Sequence, residues 1–211
     1  MSAHSFILAG MPPRAAPLSP EERREALMTA TLPLLYDHGR GVTTRLIAET
    51  AGVAEGTIFR VFASKDELID ATVRKAFEPG QMQRDLAAIP DDASLHDRAL
   101  ALVTVMQRRF AKSFLLLQRL GMTGPPEPPE QKGEWARRVE ATTQAMVDLL
   151  SPFQDELTQP AALVVRSLRL LTFSGTHPKF TGGDLLTAEQ IVDLVLYGAV
   201  RRPAATPEET H

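Results

Sequence analysis

The 211-residue sequence contains no cysteine. Disulfides, thiolate zinc sites and cysteine nucleophiles are thereby excluded. Histidine is scarce too. His4, His38, His96, His177 and His211 include no pair at the i,i+4 spacing with which a helix offers two ligands to one metal. No metal and no cofactor is expected. No apolar run approaches the roughly 20 residues of a membrane span. The opening "MSAHSFILAGMPPRAAP" lacks a basic stretch, and its apolar run, residues 6–9, is too short for a secretory signal. A soluble, cytoplasmic protein without a membrane partner is expected. There is no nucleophile–base pair and no phosphate-binding loop, so an enzyme is not expected. Charge of one sign is lacking as well. The net charge is −3 and the pI about 6.0, which gives no chain-wide attraction to nucleic acid.

What is present favours helices. Hydrophobic residues make up 44% and aromatics only 6%, so a core must be built mostly from aliphatic side chains. Residues 1–18 carry three prolines and no apolar period, and are read as a flexible arm. "SPEERREAL" then supplies an N-cap (Ser19), a proline for the first helical position (Pro20) and the acid of a capping box (Glu22). The helix that follows has Leu27, Ala30, Leu34 and Leu35 on one face. Pro33 is expected to bend or loosen it and Gly39 to end it.

"VTTRLIAETAG" predicts a short second helix, capped by Thr43 or Thr44 and stopped by Gly52. A third covers about 54–62. "ASKDELIDATVRKAFEPG" predicts a fourth, with a Ser64–Glu67 capping box and a stop at Pro79-Gly80. Longer apolar segments follow at about 94–120, 134–150, 158–174 and 187–200. No strand alternation persists. The expectation is an all-α chain. It has an arm (1–18), a three-helix helix-turn-helix domain (19–64), a connecting helix (65–80), a larger helical ligand-binding and dimerisation domain (81–203) and a flexible tail (204–211).

The stretch "AGVAEGTIFRVFASK", residues 51–65, has two glycines between helical segments. Two steeply crossing helices need a small residue at their contact, which Ala48 supplies, and a turn residue that tolerates positive φ, which Gly52 supplies. Ile47, Ala51, Val53, Ile58 and Val61 fall on the inward side. Ala54, Glu55, Gly56, Thr57, Phe59 and Arg60 are left facing out. Most are small, which suits a helix entering a major groove about 12 Å wide. Lys65, at the next helix start, adds a candidate phosphate contact. Between Arg40 and Lys65 four basic residues face two acidic ones, a local excess of +2 in an acidic chain.

With these residues in view, "TTRLIAETAGVAEGTIFRVFASKDEL" resembles the DNA-binding signature of TetR-family transcriptional regulators, over residues 21–70. The resemblance implies a ligand-responsive regulator, more often a repressor. It would act as a homodimer on a pseudo-palindromic double-stranded DNA operator. A regulator without an effector, and an activator, are the alternatives. Residue by residue, Thr44 and Arg45 would meet the DNA backbone or groove edge. Glu55, Gly56, Thr57 and Arg60 would read or approach bases, Phe59 would pack on sugar-phosphate or a thymine methyl, and Lys65 would bind phosphate. Glu55 is either an acceptor for cytosine or a plain surface residue. The sequence departs from the family at Phe59, where tyrosine is usual, and at Val61, where histidine or tyrosine is common. The missing hydroxyl costs a phosphate bond of about 0.5–1.5 kcal/mol.

The resemblance also implies a cavity for a small-molecule effector among the middle helices. Met106, Gln107, Phe110, Phe114, Gln118, Trp135 and Met146 are its candidate lining, with ordinary core packing as the alternative for the apolar ones. The last two helices would form a dimer interface through Leu163, Leu168, Leu171, Ile191, Leu194 and Val195. An independent motive exists: one short helix reads too few bases, whereas two related by a dyad read a palindrome.

Overall fold

The computed structural model describes residues 19–124 and 132–198. The arm 1–18 and the tail 204–211 lie outside them. Among the described residues every regular element is helical. The first helix, α1 (Pro20–His38), starts as its sequence dictates. Ser19 Oγ accepts from the Glu22 amide at 3.2 Å and the Glu22 carboxylate accepts from the Ser19 amide at 2.7 Å. These bonds, the backbone one foremost, hold the Glu22 carboxyl below its ordinary range. Pro33 sits on the exposed side of a helix that continues through it to His38. Gly39 closes α1 at φ +55°, and a Cβ there would overlap the Arg119 carbonyl oxygen. Glycine is thus required twice, for its backbone and for a close approach.

A 3₁₀ turn (Gly39–Gly41) leads to α2 (Thr44–Ala51), α3 (Glu55–Val61) and α4 (Lys65–Ala76). The cap at Ser64 differs from the expected box. Ser64 Oγ accepts from the Glu67 amide, but the Glu67 carboxylate reaches one residue further back, to the Ala63 amide at 2.7 Å. Pro79-Gly80, expected as a stop, is also a start. α4 ends at Ala76, and Pro79 is the N-cap of α5 (Gly80–Ala87). The body continues with α6 (Leu95–Leu120), α7 (Lys132–Leu150), α8 (Ala161–Thr176), the short α9 (Pro178–Thr181) and α10 (Ala188–Leu196). α8 begins three residues after the expected start because Pro160 serves as its N-cap.

Two cores divide the fold. The head core joins Leu27 and Leu35 of α1, Ile47 and Ala48 of α2, Ile58 of α3 and Phe62 with Leu68, Ile69 and Val73 of α4. Leu116 and Leu120, at the far end of α6, complete it. The body core gathers Met82 and Leu86 of α5, Leu102, Val103 and Met106 of α6, Met146 and Leu150 of α7, Val165 and Leu168 of α8 and Ile191 and Val192 of α10. α6 therefore belongs to both, and α4 packs its buried face into the head. Arg98 is buried in the body and bound only to backbone: Nε to Ala93 O at 3.2 Å, one terminal nitrogen to Leu149 O at 3.1 Å, the other to Asp91 O. Its guanidinium lies 5.0 Å from the Phe153 ring centre.

Candidate nucleic-acid interface

The helix-turn-helix is built by local rules. Thr43, rather than Thr44, is the N-cap of α2, its hydroxyl accepting from the Leu46 amide. Gly52 sits at φ 67°, ψ 33° and the Val53 amide returns to Ala48 O at 3.0 Å, the usual closure of a helix by a left-handed glycine. Ile47, Ala48 and Ile58 are buried where α2 and α3 pack. Ala51, Val53 and Val61 are partly buried beside them. The inward set expected from sequence therefore faces inward.

The outward set faces solvent. Gly56 and Arg60 are exposed, Thr57 is half-buried, and Phe59 is 53% exposed, unusual for so large an apolar ring. A Cβ on Gly56 would meet nothing within 4 Å. Among the described residues, nothing demands glycine at this position. Arg60 makes no hydrogen bond or ion pair with the described residues. Three other basic side chains of the head are engaged. Arg45 donates to Glu49 at 2.9 Å, one turn along α2, and is otherwise open to solvent. Arg40 pairs with Asp66 and Asp70 at 3.6 and 3.4 Å. Arg24 lies 4.1 Å from the Phe62 ring centre and faces Glu67 at 3.7 Å.

Two site residues have internal partners that the sequence did not reveal. The Thr44 hydroxyl donates to the Glu55 carboxylate at 2.5 Å. That bond ties the first turn of α2 to the first turn of α3, and it places a negative charge where the α3 dipole welcomes it. Glu55 remains exposed, with one carboxylate oxygen engaged by Thr44. The Lys65 ammonium donates to Arg40 O and Val42 O, both at 3.2 Å, and so fastens the 3₁₀ turn to the start of α4. Both contacts join residues distant in sequence, which no spacing rule exposes.

The candidate effector residues disperse. Met106 and Met146 are buried in the body core. Gln107 donates to Leu186 O at 2.8 Å, and Gln118 is exposed. Phe110 and Phe114 join Phe173, His177 and Phe180 in an aromatic cluster, with ring centres 4.4–6.4 Å apart. Trp135 is partly buried on α7. None of them lines the cleft of about 620 Å³ between α1, α4, α5 and α6. That cleft has Leu32, Tyr36, Ala76 and Phe77 among its walls, with basic Lys75, Arg84, Arg108, Arg109 and Lys112 against acidic Glu78 and Asp85. Arg108, Arg109 and Lys112 lie within one turn and a residue on α6. That was the available sequence signal.

The expected dimer residues also divide. Leu163 and Leu194 are each 44% exposed, and Leu171 and Val195 are partly buried. Leu168 and Ile191 require correction: both are fully buried in the chain's own core and have no surface to offer a partner. Leu170 and Tyr197, 62% and 59% exposed, stand further open than Leu163 and Leu194 on the same two-helix segment. No helix among the described residues is long and apolar enough to cross a membrane.

Residues 27–72 match the family model of the bacterial regulatory proteins, tetR family. The HTH-type transcriptional regulator BetI of Rhizobium meliloti is 38% identical over 88 residues, covering 41% of this chain and 42% of that protein. The HTH-type transcriptional repressor KstR of Mycolicibacterium smegmatis is 38% identical over 69 residues, covering 32% of this chain and 34% of that protein. The chain thus spans less than half the length of these relatives. The crystal structure of a TetR-family protein from Vibrio parahaemolyticus superposes with a TM-score of 0.53 at 18% identity, over 82% of this chain and 94% of that one, a likeness of fold. The matched segment contains the whole of α2 and α3, the Gly52 turn and most of α1 and α4. Over its head, this chain is similar to the bacterial regulatory proteins of the tetR family.

Proposed function

We propose that the protein is a cytoplasmic, sequence-specific DNA-binding transcriptional repressor. It acts as a homodimer on a pseudo-palindromic operator and is released by a small-molecule effector. The observation that carries this reading is the outer face of α3. Gly56, Phe59 and Arg60 stand open to solvent, with Thr57 half-buried beside them, on a helix whose inner face is locked by Ile58. Arg60 offers a guanidinium that no neighbour among the described residues claims, and such a group is suited to guanine O6 and N7 in the major groove. Thr44 and Arg45, at the start of α2, flank it on the side where backbone contacts are made. Lys65 gives two of its three N–H donors to the Arg40 and Val42 carbonyls and keeps the third for phosphate.

Dimerisation is supported by the uncovered apolar side chains of α8 and α10. Leu163, Leu170, Phe173 and Leu194 are 42–62% exposed. Burying them against a second copy removes them from water and sets two heads on one dyad. Repression is favoured by the relative named a repressor, 38% identical over 69 residues. Effector control follows the linkage argument: a ligand that binds better to a dimer with wrongly spaced heads weakens DNA binding by that difference in free energy.

Footprinting and fluorescence anisotropy on DNA upstream of the protein's own gene test this reading. Saturable binding, with two protected half-sites about 10 base pairs apart or a multiple of that, is expected. Binding that never exceeds that to random DNA of equal length would overturn it.

A further inference from the structure

The cleft between α1, α4, α5 and α6 sits where head meets body, apart from the residues expected to hold an effector. Five basic side chains line it against two acidic ones. Several of these charges are already engaged: Lys75 with Glu25, Arg108 with Asp85 at 2.8 Å, Arg84 with Gln81 at 2.7 Å. Lys112 has no partner among the described residues. The Tyr36 hydroxyl also has none there, and burial raises its pKa, so it stays a protonated donor at neutral pH. Arg109, more than half buried, donates to Phe77 O and Glu78 O at 2.9 and 2.8 Å, the carbonyls just past the end of α4. The walls between these groups are apolar: Leu32, Ala76 and Phe77. An apolar cleft with a few convergent donors and surplus positive charge is built for an amphipathic anion.

We propose that this cleft is the effector site and that it takes an amphipathic carboxylate, its apolar part on Leu32 and Phe77 and its carboxylate held by Lys112, Tyr36 and Arg109. The proposal rests on the effector-responsive reading above and gives it a place and a ligand class. It also supplies a lever. A carboxylate is a stronger acceptor for a guanidinium than a backbone carbonyl. As Arg109 turns to the ligand, Phe77 and Glu78 lose their tie to α6. α4 carries Leu68, Ile69 and Val73 of the head core, so freeing its end frees the head.

The test is calorimetry on the full chain with decanoate and 2-naphthoate, and with decanol as a neutral control. One saturable site per chain is expected for at least one carboxylate, with decanol at least about 10-fold weaker. Lys112→Gln should weaken binding about 10-fold. Thr29→Trp, which fills the cleft from an exposed position, should abolish it while thermal melts stay unchanged. No saturable binding of either carboxylate, decanol binding equally well, or binding indifferent to both substitutions would each overturn the site. Operator anisotropy is measured separately. If decanoate fills the cleft and operator affinity does not fall, the lever is wrong and the carboxylate site stands. If the chain binds no DNA at all, it is the regulator reading that fails.

Discussion

Arg60 is open on α3, whereas Arg24 and Arg40 are bound within the head. A group of this kind should act on DNA and hardly on stability. Arg60→Ala is expected to weaken operator binding by about 1–3 kcal/mol and to relax preference at one base pair, with melting unchanged. Equal loss on random DNA would assign it to phosphate instead. Gly56 gives the complementary test. Because a Cβ there meets nothing, Gly56→Ala should stabilise the free protein by about 0.5–1 kcal/mol. If its leanness serves the groove, operator affinity should fall in the same variant. A rise in both would mean that the face needs no thinning. Phe59→Tyr restores a hydroxyl to an exposed ring, and should tighten DNA binding by about 0.5–1.5 kcal/mol in anisotropy titrations.

Among the elements, α2 and α3 were the most legible. Their caps, turn and inward residues are set within a dozen positions, and local rules of that kind can be read directly. α5 was hidden because proline followed by glycine both ends one helix and opens the next. Leu168 and Ile191 were read as a partner's contact because an apolar stripe says that a face is buried, not against what. The Thr44–Glu55 and Lys65–Arg40 contacts and the cleft of Tyr36, Phe77 and Arg109 depend on chain separations that no periodicity encodes. The α4–α6 junction is the element whose stability can be challenged. Arg109→Met deletes both bonds to the α4 terminus and should cost about 1–2 kcal/mol in denaturant unfolding, reduced by partial exposure. An unchanged midpoint would mean that α4 is held by its buried leucine and isoleucine alone.

At the scale of the molecule, two cores share α6, and the shared end carries Leu116 and Leu120 into the head. A change in the body therefore has a packed route, through α6, into the head core. A dimer adds the second half of that face. Leu170→Glu, on the exposed side of α8, should leave the monomer folded by circular dichroism and shift sedimentation from dimer to monomer. The central claim is that two copies of α3 read one dyad-related operator. It is tested most directly by anisotropy titration of a palindromic upstream fragment at fixed salt, comparing the native chain with Arg60→Ala. Two chains per duplex, with specific affinity lost in the variant, is the predicted result. Indistinguishable curves for the two proteins on specific and random DNA would contradict it.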